Sequence, residues 1–228
     1  PIVRPSAANA VPFSFNGSQY SRVENVHFEA GASGQSLIDL DASNCWLRNV
    51  TADGGLFATT IGINVDAAGC LVERFLVKRL TTGAQHSLGA GVIFRNGIAH
   101  TCSARCIWIP LQNSDVELQH LTIDALGGHG IATDKNHAGT KPRIRNCIIR
   151  VTGAGQSCYR NAVEGATGAL IADRNTLVAA SSAVVGSIGA ITYAEIAAWR
   201  TASGQDAAST DVAAPWSNQA ANDYTLTA

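Results

Sequence analysis

One short pattern of apolar and polar positions recurs along the chain: an apolar residue, one or two polar residues, a polar anchor, then apolar residues again. It reads as Val23-Glu24-Asn25-Val26-His27-Phe28, Leu47-Arg48-Asn49-Val50, Val72-Glu73-Arg74-Phe75, Phe94-Arg95-Asn96-Gly97-Ile98, Leu118-Gln119-His120-Leu121, Ile144-Arg145-Asn146-Cys147 and Ala172-Asp173-Arg174-Asn175. The anchors at 25, 49, 74, 96, 120, 146 and 174 are separated by 24, 25, 22, 24, 26 and 28 residues. Self-similarity at such a period marks a repeat architecture.

Most intervals hold a second apolar segment, as in Leu37-Ile38-Asp39-Leu40-Asp41, Ile61-Gly62-Ile63-Asn64-Val65-Asp66, Cys106-Ile107-Trp108-Ile109 and His129-Gly130-Ile131-Ala132-Thr133. Apolar residues alternate with polar or small ones, the period of a half-buried strand. Gly, Asn, Ser and Asp cluster between segments and supply turns. Two or three short strands per repeat, with no helix between them, describe one coil of a parallel β-helix that buries a shared apolar column. Leucine-rich repeats fit Leu118-x-x-Leu121-x-Ile123 in part, but the Asn or Cys that should follow is not repeated. The expectation is an all-β, single-stranded parallel β-helix of about seven coils with a short helical or irregular C-terminal cap. Residues 1–22 form the lead-in, 23–188 the repeats and 189–228 the cap.

Lines such as Ile144-Arg145-Asn146-Cys147-Ile148-Ile149 resemble the coil repeats of the pectin-lyase-like family of right-handed parallel β-helices, from about Val23 to Val185. The tail resembles a terminal segment of many bacterial and phage β-helix proteins. There a Trp precedes a Gly-x-Asp-x-x-Ser element and an Asp-Tyr-x-Leu strand, matched here by Trp199, Gly204 to Ser209 and Asp223-Tyr224-Thr225-Leu226. The resemblance implies a right-handed coil and speaks to architecture rather than activity. Thr192-Tyr193-Ala194-Glu195 has capping-box spacing, which predicts a helix over 194–201 that ends near Gly204. Ile196 and Trp199, on one face of it, would plug the last coil.

Composition narrows the classes. Hydrophobic residues make up 46% and exclude disorder, whereas only 14% are charged, about half the usual share. With 16 Lys and Arg against 17 Asp and Glu, the net charge of −1 argues against a nucleic-acid binder held by phosphate contacts. No run approaches the ~18–20 apolar residues that cross a bilayer. Pro1 to Pro5 lack the pattern of a signal peptide, and the absence of Met predicts a processed or partial product. Of six cysteines, Cys102 and Cys106 have a spacing that zinc tolerates, but no second pair lies at a suitable offset. Cys45 and Cys70 both lie four before their anchors and predict a stacked ladder, with a disulfide possible if their side chains converge.

Placed in register, Asp39 aligns with Asn64 and Asp41 with Asp66, in two outward columns on neighbouring coils. Strands lie about 4.8 Å apart, so Asp41 and Asp66 would repel unless protonated, splayed or bridged. Calcium between Asp39, Asp41, Asn64 and Asp66 is one reading, since hard cations take carboxylate and amide oxygens. A carboxylate pair for retaining glycoside hydrolysis is another, a sugar-lined groove a third, and solvated turn chemistry the plainest. The densest polar region runs from His120 to Arg145 and includes a long loop, Asp134 to Pro142. Lyases that act on uronates need a cation and a base, a role open to Lys135 or Arg143 with Asp124 or Asp134 nearby. The motif sets of polygalacturonases and pectate lyases are absent apart from Gly128-His129-Gly130.

The expected function is therefore a structural β-helix of a larger assembly. A phage virion component is the leading form, either a capsid decoration or a tail spike with some carbohydrate contact. It would pair with other subunits as a homo-oligomer, plausibly a trimer, on a virion or extracellular surface. A polysaccharide lyase or glycoside hydrolase is the alternative, and a non-catalytic glycan-binding module the second. No nucleic-acid partner, membrane span or cofactor other than calcium is expected. The low charge itself points to a partner, because an uncharged surface does little to discourage association.

Overall fold

A computed structural model describes residues 1–4, 11, 13–15, 17–31, 36–55, 61–110, 115–135, 139–163, 170–212, 216–218 and 223–226, the last two segments for backbone alone. The fold is all-β: parallel strands stack rung on rung into a β-solenoid of about six turns, the number of intervals between seven anchors. Three stacks of strands form its flanks. Stack I places Val23 on Leu47, Val72, Phe94, Leu118, Ile144 and Ala172 in turn. Stack II places Val3 on Phe28, Ala52, Val77, Ala99, Ile123, Ile149 and Leu177. Stack III places Phe13 on Ile38, Ile63, Ala84, Ile107, Ile131, Tyr159 and Gly186. From the second rung of each stack onward these apolar positions are almost wholly buried, and the three columns together make the core.

The anchors explain the repeat. All seven adopt left-handed backbone, with φ between 52° and 58°, and each turns the chain from stack I into stack II in a single residue. Asn tolerates this conformation better than other residues with a side chain, which accounts for Asn25, Asn49, Asn96 and Asn146. Stacked anchors also bond each other, as Asn49 Nδ2 does to Asn25 Oδ1 at 2.6 Å. Arg74 and Arg174 take the same backbone without that tolerance, at about 1–2 kcal/mol each, whereas His120 is of a type that adopts it more readily.

The six cysteines are buried free thiols. Cys45 stacks on Cys70, but each thiol faces a backbone carbonyl, Ser18 and Ala42 respectively, so the predicted ladder forms without a disulfide. The hydrogen bond the Cys106 thiol makes to Cys102, together with burial, raises it well above its ordinary range, as suits core filling rather than metal ligation.

At the C-terminal end the strand Val184–Ile188 pairs with Ile191–Tyr193, antiparallel, and stops the stacking. Helix α1 (Ile196–Ser203) follows, and Gly204 closes it with φ 69° and an N–H bond to the Arg200 carbonyl. The capping box does not form. Thr192 pairs with Ser187 in the antiparallel strand, which leaves Glu195 as N-cap with no side-chain bond. Trp199 and Ile196 are buried as expected. The Trp199 indole N–H donates to Asp206 at 2.9 Å, and the other Asp206 oxygen accepts from Ser209 and Asn175. Asp206 N–H in turn reaches the Ala172 carbonyl and Thr210 N–H that of Asn175, so the edge of the last coil is hydrogen-bonded rather than open. Asp223–Leu226 is the strand predicted there and pairs with Trp216–Asn218.

Gly186 ends the stack III column beneath the indole, where a Cβ would lie 2.2 Å from the Trp199 ring. Gly186→Ala is therefore expected to displace the plug and cost about 1–3 kcal/mol in urea unfolding. A stability equal to that of the native chain would show that Trp199 does not seal the coil.

Candidate ligand-binding face

In-register stacking puts equivalent side chains about 4.8 Å apart, so a column of like charge is unfavourable. Stacks I and II solve this mostly by alternation; where two acids do stack, Glu29 on Asp53, each has its own guanidinium, Arg4 at 2.7 Å from Glu29 and Arg79 on Asp53. One position before the anchors, stack I runs Glu24, Arg48, Glu73, Arg95, Gln119, Arg145 and Asp173. Arg48 lies 3.6 Å from Glu24 and 3.3 Å from Glu73, and Arg95 lies 2.8 Å from Glu73. Stack II runs Glu29, Asp53, Lys78, His100, Asp124 and Arg150. Lys78 bridges Asp53 and Arg150 bridges Asp124, each at 3.2 Å. Arg79 and Lys78 together outweigh burial at Asp53 and hold its carboxyl down at about 2.

The outward column of stack III departs from this rule. It runs Ser14, Asp39, Asn64, Gln85, Trp108, Ala132, Arg160 and Ser187, with Asp41, Asp66 and Ser87 beside its first coils. Among the described residues no cation lies within ion-pair reach of Asp39, Asp41 or Asp66. Neutral groups take their place. Ser14 Oγ donates to Asp41 at 2.9 Å, Asn64 Nδ2 to Asp66 at 2.7 Å and Ser87 Oγ to Asn64 Oδ1 at 3.1 Å, while Gln85 bonds Ser87. Asp39 Oδ1, Asp66 Oδ1 and Gln85 Oε1 are buried without any hydrogen-bond partner. Burial raises the Asp39 carboxyl above its usual range, and the nearby Asp66 and Asp41 charges add to the shift.

These oxygens are of the kind a hard cation takes. No set of three or more His, Cys, Asp or Glu side chains converges on a metal position among the described residues. A cation here would therefore rest on Asp39 and Asp66 with amide and hydroxyl oxygens from Asn64, Gln85 and Ser87.

Trp108 lies three rungs from Asp39. Its indole N–H donates to Asp134 at 2.8 Å, and the Arg105 guanidinium covers the ring at 4.2 Å from its centre. His129 stacks on Arg105, and its Nδ1 accepts the Ser157 backbone N–H at 3.1 Å, which leaves the ring proton on Nε2. Burial, with Arg160 and Arg105 nearby, lowers the His129 pKa to about 4.

The sequence-predicted residues divide between flanks. Asp39 and Asn64 sit on adjacent rungs of stack III, as do Asp41 and Asp66. Lys135 is exposed at the end of the same flank, next to Asp134 and three rungs beyond Asp66. Arg143 belongs to stack I, where it pairs with Asp115 at 2.8 Å. Asp124 lies buried in stack II against Arg150. Residues 136–138 of the long loop, His137 among them, lie outside the described residues. The unpartnered Oε1 of Gln85 and the Arg105–Trp108–Asp134 group escaped sequence reasoning. The register that aligns Asp39 with Asn64 would have found them if carried two coils further.

The fold defines the protein as a parallel β-solenoid with a helical cap. Comparison with known proteins adds no finer relationship: no family model, curated protein or solved structure matches the chain.

One buried base within this flank sets a pH response. His86 stacks on Val65 inside the core and is only 1% exposed. Burial lowers its pKa to about 4, so the ring is neutral when folded and charges near pH 6.5 when unfolded. The unfolded chain thus binds more protons between these values. Stability is expected to be full above about pH 6.5 and to fall by about 3 kcal/mol by pH 4 through His86 alone. His129 adds in the same direction, whereas Asp53 loses its contribution only below this window, between its ordinary pKa and about 2. Urea unfolding at pH 7 and pH 4.5 should show the loss, and His86→Val should flatten it. An unchanged pH slope in that variant would remove His86 from the account.

Proposed function

We propose that the protein is a structural β-solenoid subunit of a larger surface assembly, of the kind phage appendages build, that touches polysaccharide through the outer face of stack III. The observation that carries this reading is the contrast between flanks. Among the described residues the acids of stacks I and II meet a cation or a backbone donor, whereas Asp39, Asp41 and Asp66 do not, and an indole lies three rungs away. Carboxylates and amides suit sugar hydroxyls, and an aromatic ring suits the apolar face of a sugar. Association with further copies is supported by large apolar side chains left in solvent, among them Tyr20 at 77%, Val212 at 69% and Ile191 at 62%. A solenoid with one sealed end is a natural shaft for a homo-oligomer.

Calcium fits the unpartnered oxygens around Asp39, where it would lower the repulsion that raises that carboxyl. A polysaccharide lyase or hydrolase is the second reading, favoured by the same Asp39, since a carboxyl held above its usual range is suited to proton donation. Against it, Lys135 lies three rungs beyond Asp66 and Arg143 on another flank, so neither candidate base stands beside Asp39, Asp41 or Asp66.

In chelator, Asp39→Asn is expected to melt higher than the native chain, because it removes a buried repulsion. With calcium the native chain should gain melting temperature and Asp39→Asn should not. On a panel of neutral and acidic glycans, Trp108→Ala should weaken binding about tenfold, with no new reducing ends or unsaturated uronate from either protein. Product formation would replace the binding role with the enzymatic one. Absence of affinity for every glycan would leave only the assembly role standing.

A further inference from the structure

We propose that Cys102 and Cys106 are a disulfide-forming pair, which the corner between stacks II and III brings together and which exchange with a low-molecular-weight disulfide closes into one bond. Residues four apart on an extended strand are separated by about 13 Å, too far for their side chains to meet. Here the Cys106 thiol hydrogen-bonds to Cys102. The chain between them makes the difference. Within the strand Ile98–Ile109, Cys102 lies on Leu80 of the preceding rung and Arg105 on Thr82, so three steps on one rung match two on the other. The extra residue is a bulge, which bends the strand and turns Cys106 back toward Cys102. Thr101, just before it, takes left-handed backbone at φ 55°, a conformation that a β-branched residue rarely adopts.

A glycine makes room for the pair. At Gly83, on the preceding rung, a Cβ would lie 3.0 Å from Cys102 Sγ and 2.6 Å from the Cys106 carbonyl oxygen. Both cysteines thus share one buried space inside the corner. Cys102 Sγ donates to the His100 carbonyl at 3.6 Å, which leaves its sulfur free to face Cys106. The other four thiols turn to backbone instead: Cys45 to Ser18, Cys70 to Ala42, Cys147 to Leu118 and Arg145, and Cys158 to Ile149.

Closure is an exchange in two steps. One cysteine loses its proton, its sulfur attacks a sulfur of the reagent, and one reagent thiolate leaves. The second cysteine, also deprotonated, attacks the protein sulfur of that mixed disulfide and expels the other reagent thiolate. Two protein thiols are thereby oxidised to one disulfide by loss of two electrons, and the reagent is reduced to two thiols that take up the two protons. Only a thiolate attacks, and the folded corner keeps Cys106 protonated. The bond therefore forms while the corner is open, during folding, and is shielded once the coil closes over it. Arg105 lies between the two cysteines and covers the Trp108 ring, so the bond would also fix the bend from which that pair projects. The proposal does not depend on any ligand at the outer face of stack III.

The reduced full chain, refolded from urea with glutathione disulfide as the probe, tests this. It should lose about 2 Da, the mass of two hydrogens. Alkylation after denaturation should find four of its six thiols free, the other two being in the bond, and peptide mapping should join Cys102 to Cys106. The oxidised chain should melt about 5 °C above the reduced one. Added to the already folded chain, the same reagent should act at least about tenfold more slowly. Cys102→Ala and Cys106→Ala should each keep all their remaining thiols free, whereas Cys45→Ala should still close the bond. The map of the native chain decides the pairing even where a variant fails to fold. Six free thiols after oxidative refolding, a bond to any other cysteine, a lower melting temperature on oxidation, or equal rates in the folded chain would each overturn the proposal.

Discussion

Every part of this molecule answers to one constraint: parallel strands stacked in register place each residue about 4.8 Å from its equivalent on the next rung. A position is therefore judged as a column. Apolar columns such as Ile38, Ile63, Ala84, Ile107 and Ile131 gain, because each side chain shields the next from water. Polar columns gain where amide meets amide, as at Asn25 and Asn49. Charged columns lose unless each charge meets its opposite, by alternation along most of stacks I and II and by Arg4 and Arg79 where Glu29 stacks on Asp53. Bulk is shared in the same way: Gly97 leaves the space that the Phe75 ring fills, and Gly186 the space for Trp199.

The low charge of the chain follows from the same rule. A coil can afford a charge only where the neighbouring coil supplies its opposite, so much of the charge is gathered into the Glu24–Arg48–Glu73–Arg95 and Asp53–Lys78 ladders. Small and uncharged residues fill most other outward positions. Charge scarcity is thus a property of the architecture before it is a property of any partner. This weakens composition as evidence for assembly and shifts the weight to the exposed apolar side chains and to the places where the rule is broken.

Much of the fold was legible because a column leaves a periodic trace. The seven anchors announced themselves by spacing alone, although what they share is a backbone angle that no single residue type encodes; Arg74 and His120 sit there as well as Asn25. The Cys45–Cys70 ladder and the Trp199 plug were readable for the same reason. The capping box failed because local spacing cannot tell a Thr that begins a helix from a Thr already paired in a strand, as Thr192 is with Ser187. Site chemistry was less legible. Asp39 and Asp66 were visible as a stack of like charge, but the unpartnered Oε1 of Gln85 and the Arg105–Trp108–Asp134 group depend on which flank a residue occupies, and Arg143 fell on another.

In a structure governed by columns, departures from the rule carry the most information, because each opposes a force that acts on every coil. Asp39, Asp41 and Asp66 accept repulsion that an Arg on either neighbouring rung would have relieved, as it does at Glu73. Arg74 and Arg174 accept backbone strain that Asn would have avoided. The two departures have opposite sign and lie on different flanks, so they do not compensate each other within the chain. Among the described residues, one leaves negative charge without a cation and the other leaves guanidinium groups without an anion. Stability alone would remove both, since a single substitution at each position suffices. On a scaffold where the other stacked acids meet a cation or a backbone donor, the acids of stack III are the physical reason to look for a ligand on that flank.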